Sequence, residues 1–384
     1  MCDLLTIGID ASNIRAGGGL THLKCLLDST NVKFAAGLRM IIWGGSNTLD
    51  KLPSNQLVEK IYVPILNKSL CFRVAWQAWF LPSCLKEKKC DILFSPGGTL
   101  PPNPGVPTVV MSQNLLPFEP YEARRFGFSF MSLKMKLLHV SQKRSFEQSD
   151  GIIFLTRYAQ DSICAVLSNK PKNMTIIPHG IEDRFYASPR SASKSFSLSC
   201  PFRVIYVSIV DVYKHQWHVA EAAASLRLKG IPLQVEFIGP CYPQAGKRLA
   251  DTIARLDPCG EFLIYHGPLP FEQLEEAYQK ADAFVFASSC ENLPNILLEA
   301  MASGLPIACS GRGPMPEVLG DAGIYFDPEK PDEIATALMC LYRDSELRLH
   351  LATEAHVRAR AYSWGRCALE TFSFIEQVAS DAKV

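Results

Sequence analysis

The chain has 384 residues, of which 48% are hydrophobic, and a formal net charge of +1. This length exceeds what one hydrophobic core usually organises, so two domains are expected. No apolar run is long enough to span a bilayer, and Asp3 stands where a signal peptide needs basic residues, which predicts a cytoplasmic protein. Thirteen cysteines without C-x-x-C pairs are typical of reduced thiols and exclude a disulfide framework.

The small net charge hides an asymmetry between the two halves of the chain. Residues 1–185 carry 21 Lys+Arg against 14 Asp+Glu, and the remainder carries 18 against 24. A basic first half indicates an anionic partner. A membrane surface or a lipid diphosphate fits better than nucleic acid, because the sequence has no recognised nucleic-acid motif.

The chain opens with a predicted strand, Leu4 to Asp10, and a predicted helix, Thr21 to Leu27. The loop between them ends in three glycines, of which Gly18 and Gly19 are candidate ligand-binding residues, because glycine lets backbone N–H groups approach a ligand closely. The loop does not match G-x-G-x-x-G, so a dinucleotide fingerprint is not satisfied. A plain tight turn explains these residues nearly as well.

Short apolar runs then alternate with helical stretches, which predicts a parallel sheet covered by helices. Polar residues follow two of the predicted strand ends, Ser95 to Gly98 and Ser112-Gln113-Asn114. Open α/β sheets hold ligands at such ends, so Gln113 and Asn114 are candidate site residues. The predicted strands are Met40–Trp43, Ile61–Val63, Asp91–Ser95, Thr108–Met111 and Gly151–Leu155.

A long helical region is predicted between Tyr121 and Glu147, with basic and large apolar residues interleaved. Two interpretations remain open. One is a basic amphipathic surface that lies on anionic lipid, and the other is an ordinary core helix with a solvated basic face. The stretch Leu70 to Leu85, with three large aromatic residues, is a second candidate for apolar contact with lipid.

A serine-rich connector, Ala187 to Cys200, is predicted to separate the halves, and a new strand, Phe202 to Val207, begins the second. Strands Val235–Gly239 and Phe262–Gly267 follow, then an amphipathic helix, Phe271 to Lys280. Two histidines and a glutamate, His215, His218 and Glu221, are spaced three residues apart and could share one helix face. Such a set could bind a metal ion, but no other residue suggests a metal site, so we interpret them as structural.

The most informative stretch is CENLPNILLEAMASG, Cys290 to Gly304. It follows an apolar strand, Ala283 to Phe286, and forms a polar turn and a helix that Pro294 is expected to open. Glu299 lies about six helical residues into this helix, or roughly 9 Å along its axis. The helix start, Asn292-Leu293-Pro294-Asn295, would cradle phosphate oxygens through the free N–H groups of its residues other than the proline. Glu291 would then bind sugar hydroxyls, and Glu299 ribose hydroxyls.

At these residues the chain resembles the family 4 retaining glycosyltransferases, in which two glutamates have the E-x7-E spacing of Glu291 and Glu299. The resemblance implies the α/β GT-B fold, in which two Rossmann-like domains face each other across a cleft. The domains expected are an acceptor-side domain, residues 1–186 with helix 363–384, and a donor-binding domain, residues 201–362. The predicted final helices are Asp332–Tyr342, Glu346–Ala361 and Ser363–Val378, and the last is expected to pack on the first domain.

The resemblance also implies roles for single residues. Family members usually direct an Arg and a Lys at the donor diphosphate; Lys214 matches the Lys, whereas Ile209 stands where the Arg is expected. His266 resembles the loop that brackets the nucleotide base, and Arg312 lies in the glycine-rich turn Gly311 to Glu317 and is a candidate replacement cation. A His-Asp pair of the family is replaced by Gln113 and Asn114, and His179 stands where Asn is commoner. His179 either touches the donor or ends a turn.

The implied function is retaining transfer of a hexose from a nucleotide sugar to a saccharide or lipid-linked acceptor, with Lys214 and Glu291 as catalytic residues and no bound metal or other cofactor. The segments YKHQ and QNLLPF resemble those of bacterial mannosyltransferases of surface-polysaccharide assembly. GDP-mannose is therefore the first donor expected, and UDP-sugars come next. Peripheral contact with the inner face of the plasma membrane is expected. Two alternatives remain: a nucleotide-sugar epimerase of the same fold, and a non-catalytic partner subunit.

Overall fold

The computed structural model describes residues 4–15, 17–30, 37–190 and 195–382, and the chain divides into two compact units. Unit 1 comprises the chain up to Pro120, Phe128–Gly180 and the chain from Ser363 onwards. Unit 2 comprises Tyr121–Gly127 and Ile181–Tyr362. Each unit contains one parallel sheet.

The sheet of unit 1 has seven strands in the order β3-β2-β1-β4-β5-β6-β7, all parallel. Its central strands are buried on both faces and rich in Ile, Val and Phe, as expected for a sheet covered by helices on both sides. The six strands predicted in this half are confirmed, with end shifts of a few residues at most, and β7 is a seventh. The strands are β1 (Leu5–Asp10), β2 (Leu38–Gly44), β3 (Val58–Tyr62), β4 (Ile92–Ser95), β5 (Thr108–Met111), β6 (Gly151–Phe154) and β7 (Asn173–Ile176).

The sheet of unit 2 has six parallel strands in the order β10-β9-β8-β11-β12-β13. Strands β8 and β11 are neighbours at its centre, so the loops that follow them leave the sheet side by side. The strands are β8 (Phe202–Val207), β9 (Leu233–Ile238), β10 (Leu263–Gly267), β11 (Ala283–Phe286), β12 (Ile307–Ser310) and β13 (Ile324–Phe326).

Fifteen α-helices occur among the described residues, with four short 3-10 segments at Pro64–Asn67, Leu116–Phe118, Asp183–Phe185 and Phe271–Gln273. None of these helices is both long and apolar enough to cross a bilayer. They are α1 (Gly18–Asp28), α2 (Ser46–Leu49), α3 (Leu70–Trp79), α4 (Leu81–Glu87), α5 (Pro120–Arg124), α6 (Phe130–Gln148), α7 (Arg157–Cys164), α8 (Gln216–Leu228), α9 (Pro243–Leu256), α10 (Leu274–Lys280), α11 (Asn295–Ala302), α12 (Met315–Leu319), α13 (Pro331–Arg343), α14 (Ser345–Ala359) and α15 (Trp364–Asp381).

The last helix belongs to unit 1, as the resemblance implied. Ser363 caps α15 by accepting from the N–H of Arg366 at 3.2 Å, and the apolar face of the helix is buried. Strand β6 has Gly151 where it meets this helix: a Cβ atom there would lie 2.9 Å from a methyl carbon of Val378 and 3.1 Å from the ring of Phe374. A small residue in β6 thus lets the final helix pack closely.

Two expectations about the first half need correction. The region Tyr121 to Glu147 is not one helix: α5 ends at Arg124, the chain turns through Gly127 at a φ of 60°, and α6 begins at Phe130. The expected first domain, residues 1–186, also differs from unit 1, because unit 2 takes Tyr121–Gly127 and the chain from Ile181 onwards. Part of the serine-rich connector, 191–194, lies outside the described residues.

Candidate functional site

The loops after β8 and β11 bring together two residues that are 77 positions apart in sequence. Lys214 Nζ forms an ion pair with Glu291 Oε1. Only 4% of Lys214 is exposed, and Glu291 is largely buried. Because neighbouring parallel strands end at the same edge of a sheet, this pair occupies the position at which open α/β sheets bind ligands.

Aromatic groups surround the ion pair and exclude water from it. Lys214 Nζ lies 5.2 Å from the ring centroid of Phe286 and 5.3 Å from that of Tyr213. The hydroxyl of Tyr206 donates to the carbonyl of Lys214 at 2.6 Å. Burial, and after it the charge of Glu291, raises the pKa of Tyr206 and of Tyr213 well above the usual value of 10. Charge interactions are stronger in such surroundings than in water.

The start of α11 lies beside Glu291 in the sequence. Pro294 is the residue before the helix and not its first residue, one position from the expectation, and its carbonyl accepts from Leu297 N at 2.9 Å. Asn292 and Leu293 are buried, while Asn295 is partly accessible. The positive end of the helix dipole therefore lies at the polar turn that carries Glu291.

Glu299 lies on the second turn of α11, where Tyr278 of α10 donates a hydrogen bond to its Oε2 at 3.0 Å. Burial raises the pKa of Glu299 to about 7, against the opposing effects of the Tyr278 hydrogen bond and of Arg184. Its carboxyl group therefore titrates near neutral pH. Tyr278 is a site residue that sequence reasoning missed, because an aromatic residue in an amphipathic helix gives no signal beyond core packing.

Three further predicted donor-side residues have partners of their own. Arg312 donates to Glu329 at 2.6 Å and to Asp327 at 2.7 Å. His266 bonds Glu236 at 2.7 Å. Ile209, at the end of β8, is 39% exposed, and its carbonyl accepts from a side-chain amide at 2.9 Å. The described contacts of these three residues do not include Lys214 or Glu291.

The histidines after Lys214 are structural in their contacts. His215 Nε2 lies 3.0 Å from Ser289 Oγ, and His218 Nδ1 lies 3.0 Å from the carbonyl of Pro328. Burial lowers the pKa of His215 to about 3, and it also lowers the pKa of His218. Both imidazoles are therefore neutral near pH 7, and Glu221 pairs with Arg255 instead of joining them.

Unit 1 brings together the glycine-rich loop and the polar residues after β5. Gly18 and Gly19 form the first turn of α1, and a Cβ atom on Gly19 would lie 3.0 Å from Gln113 Oε1. Asn114 Oδ1 accepts from the N–H of Leu116 at 3.2 Å, which closes a local turn. Two separately predicted site residues, Gly19 and Gln113, thus lie next to each other in the fold.

His179 belongs to a buried aromatic cluster in unit 1. Its ring centroid lies 4.5 Å from that of His22 and 5.6 Å from that of Trp364. His22 is fully buried, neither of its ring nitrogens has a hydrogen-bond partner among the described residues, and burial lowers its pKa well below 6.5. This environment supports the turn-and-packing interpretation of His179. His22 escaped sequence analysis because it lies in an otherwise apolar helix face.

A second buried polar cluster in unit 1 also escaped sequence analysis. Asp10 at the end of β1 accepts from the N–H of Ser12 at 2.9 Å and from the amide of Gln77, which also bonds the carbonyl of Thr99 at 3.0 Å. Burial raises the pKa of Asp10 above its usual value. In the sequence, the one indication of this cluster is that Asp10 ends a predicted strand.

Comparisons with known proteins identify relatives of this chain. The family model described as glycosyl transferases group 1 matches residues 201–344. The O-antigen chain mannosyltransferase B of Escherichia coli is 34% identical over 112 residues, which are 29% of this chain and 29% of that protein. The chain spans less than two thirds of the length of the curated relatives it matches.

Solved structures show the same fold over nearly the whole chain. A sucrose-phosphate synthase of Thermosynechococcus elongatus superposes with a TM-score of 0.78 at 16% identity, covering 98% of this chain and 100% of that one. HepE of Anabaena, solved in complex with UDP-glucose, gives a TM-score of 0.69 at 16% identity and 99% coverage of both chains. The fold is thus that of the GT-B glycosyltransferases, and through residues 201–344 the chain carries a domain of the glycosyl transferases group 1 family.

Proposed function

We propose that this chain is a retaining, metal-independent glycosyltransferase that moves a hexose from a nucleotide sugar to a saccharide or lipid-linked acceptor in surface-polysaccharide assembly. The observation that carries the proposal is the buried Lys214–Glu291 ion pair, which lies at a sheet edge within the segment that matches group 1. The curated relative that acts on O-antigen chains supports the polysaccharide context.

The difficult step in such a transfer is breakage of the bond between the anomeric carbon and the diphosphate oxygen. The bonding electrons leave with the diphosphate, while positive charge develops on the sugar ring. Lys214 and the start of α11 would stabilise the leaving negative charge, and Glu291 would stabilise the developing cation. An acceptor hydroxyl attacks the anomeric carbon from the same face, and its proton passes to the leaving phosphate oxygen. This balance of bonds and protons requires no metal ion.

The ion pair prepares both charged groups for this role. Lys214 and Glu291 neutralise each other, so neither is a lone charge in a buried place. A donor that places its diphosphate near Lys214 Nζ and its ring near Glu291 exchanges one ion pair for two favourable contacts. Glu299, with its pKa of about 7, can accept from a ribose hydroxyl when ionised and donate when protonated.

GDP-mannose is the donor that we propose first, because the curated relative is a mannosyltransferase. The HepE structure was solved with UDP-glucose, which keeps UDP-sugars as the next candidates. A thermal-shift series with GDP, UDP, ADP and dTDP should show one nucleotide that raises the melting temperature, since ligand binding to the native state stabilises it by mass action. No shift with any nucleotide contradicts the donor site.

The activity itself is tested with the nucleotide sugar that corresponds to the best nucleotide. Transfer to an acceptor with an unchanged anomeric configuration, monitored by NMR in EDTA, supports the proposal in full. Release of an epimer of the donor without acceptor supports an epimerase instead. Tight nucleotide binding without turnover of any donor supports a non-catalytic subunit.

The acceptor side is proposed to lie at an anionic membrane surface on the cytoplasmic face. Four apolar residues of α6 form one stripe at helical spacing, and all are exposed: Phe130 by 82%, Leu133 by 54%, Leu137 by 63% and Val140 by 65%. An ordinary core helix would bury such a stripe. Lys134 and Lys136 alternate with it, which matches an anionic bilayer.

Vesicle co-sedimentation tests this surface. The protein should bind vesicles that contain phosphatidylglycerol and dissociate from them in high salt. It should not bind vesicles of pure phosphatidylcholine. Leu137→Glu should abolish binding, because it places a charge within the apolar stripe. Leu228→Glu, at a leucine that is 90% exposed on α8 of unit 2, is the matched control and should bind as the wild type does. Equal binding by both variants would exclude the stripe as the membrane contact.

A further inference from the structure

The segment Tyr121–Gly127 packs in unit 2, although the chain before it and after it belongs to unit 1. Its charged residues are fixed there by specific contacts. Glu122 is only 4% exposed, and its Oε2 accepts from Ser289 Oγ at 2.6 Å. Arg125 donates to Glu122 at 2.7 Å and to Glu329 at 3.0 Å and 2.6 Å. The ring of Phe126 meets that of Tyr242 edge-on at 5.9 Å.

The buried carboxylate of Glu122 has a dedicated counter-ion in Arg125. Arg125 also holds Glu329, whose pKa falls to about 2 chiefly because of the hydrogen bonds from Arg125. A carboxylate that is removed from water is costly unless a cation and hydrogen bonds compensate it. The segment therefore supplies to unit 2 a negative group together with the positive group that makes its burial possible.

Ser289, the partner of Glu122, joins the two loops that carry the ion pair. Its N–H donates to the carbonyl of Tyr213 at 2.9 Å, and its Oγ lies 3.0 Å from His215 Nε2. These two partners flank Lys214 on either side. Ser289 itself precedes Glu291 by two residues. One serine thus connects the backbone around Lys214 to the backbone around Glu291.

The direction of these hydrogen bonds follows from the carboxylate. The hydroxyl proton of Ser289 has three possible acceptors within reach: Glu122 Oε2 at 2.6 Å, His215 Nε2 at 3.0 Å in one tautomer, and the carbonyl of Tyr213 at 3.2 Å. The shortest bond, to a carboxylate, is the strongest one. Ser289 Oγ then accepts from His215, which must carry its proton on Nε2, in agreement with a neutral imidazole. Glu122 therefore orders the chain of donors from His215 through Ser289.

We infer that Glu122 is a positioning residue for the Lys214–Glu291 pair, acting through Ser289. The inference rests on the function proposed above for that pair. Glu122 touches neither Lys214 nor Glu291 in the described contacts; it holds the serine that fixes their loops. A displacement of about 1 Å at a reacting group costs up to about 10²-fold in rate, so loss of this anchor should lower turnover more than donor binding.

Four variants of the whole chain test the inference. Glu122→Ala and Ser289→Ala should each lower kcat by roughly 10- to 100-fold and leave KM for the donor within about threefold. The double variant should lose no more than the worse single variant, because both remove the same hydrogen bond. Glu122→Gln keeps an acceptor oxygen for Ser289 and should recover most of the lost turnover. Losses that add, or turnover equal to that of the wild type, would overturn the inference.

Hydrogen exchange supplies a readout that does not depend on activity. Peptides that cover residues 208–216 and 287–293 should exchange faster in both single variants, while Arg124→Ala, at an exposed residue of the same segment, should leave them unchanged. If Glu122→Ala does not fold, hydrogen exchange in Ser289→Ala still tests the positioning role. A wild type that turns over no donor refutes the proposed function but leaves this loop test intact; unchanged exchange in both variants refutes the positioning role.

Discussion

The two units place different chemistry at the ends of their parallel strands. In unit 2 the loops after β8 and β11 hold an ion pair, Lys214–Glu291, and α11 carries Glu299, a carboxyl that titrates near neutral pH. In unit 1 the strand ends hold Gly19 against Gln113, and a buried carboxyl, Asp10, that accepts hydrogen bonds from neutral groups. On the function proposed above, unit 2 would bind the charged, leaving diphosphate, and unit 1 the uncharged hydroxyl groups of the acceptor.

The largest effect is expected from removal of the cation of unit 2, Lys214. Lys214→Ala should lower kcat/KM for the donor by about 10²–10³-fold, or about 3–4 kcal/mol, because one preorganised donor to the leaving group is lost. Gln113→Ala in unit 1 should change it by less than about tenfold, because it removes one neutral hydrogen bond. Steady-state kinetics measure both, with the exposed Lys247→Ala as control. Similar losses of kcat/KM in Lys214→Ala and Gln113→Ala would contradict the proposed difference between the two units.

A second contrast concerns the glycine loops. Gly239 follows β9 at a φ of 141°, and a Cβ atom there would lie 2.1 Å from the carbonyl oxygen of Ser208. Gly239→Ala should therefore destabilise unit 2 by about 3 kcal/mol. Gly17→Ala, at a φ of 69° with open space around it, should cost about 1 kcal/mol. Denaturant unfolding, followed for unit 2 by Trp217 fluorescence, measures the difference, and equal effects would show that the close approach does not matter.

A third prediction concerns how the titration of Glu299 makes the stability of the protein depend on pH. Its pKa is raised to about 7 in the folded state, so it contributes stability at low pH that is lost as the pH rises through about 7. Relative to Glu299→Gln, the wild type should become less stable by about 2 kcal/mol between pH 5 and pH 8. Unfolding of both proteins across this range tests the sign. A constant difference would mean that the carboxyl does not titrate there.

The smallest expected effect belongs to His22 and has the opposite sign. Its pKa is lowered, so the unfolded chain binds a proton below pH 6.5 that the folded chain does not, and stability is lost as the pH falls. Between pH 7.5 and pH 5.5 the wild type should lose about 1.4 kcal/mol that His22→Leu does not lose. His350→Leu, at an exposed position, is the control. Identical pH profiles would indicate that protonated His22 finds a partner.

Much of the fold could be predicted from the sequence because its signals are local. The run Ala283 to Phe286 is apolar enough to identify a buried strand, and Gly304 ends the helix after it. The spacing of Glu291 and Glu299, with the strand and turn before them, identified the part of unit 2 where Lys214 and Glu291 meet. The contact itself depends on β8 and β11 being neighbours in the sheet, which the structure shows.

The remaining site residues could not be predicted because their roles depend on contacts between distant parts of the chain. Glu122 is one acidic residue within a basic stretch, and nothing near it indicates Ser289, 167 positions away. Tyr278 looks like core packing until the fold places its hydroxyl at Glu299. His22 has the spacing of an apolar residue in α1 and is buried like one. Local patterns describe elements, whereas these contacts arise from how the elements assemble.

The interleaved path of the chain has a consequence for biosynthesis. Unit 1 needs α15, which follows all of unit 2 in the sequence, to cover β6 at Gly151, and unit 2 needs Tyr121–Gly127, which is translated long before its sheet. A nascent chain therefore cannot complete unit 1 before unit 2 has been synthesised. We expect unit 1 to reach its native state only after α15 has been made, so that a chain truncated before Ser363 should be retained by chaperones even though the group 1 segment is whole.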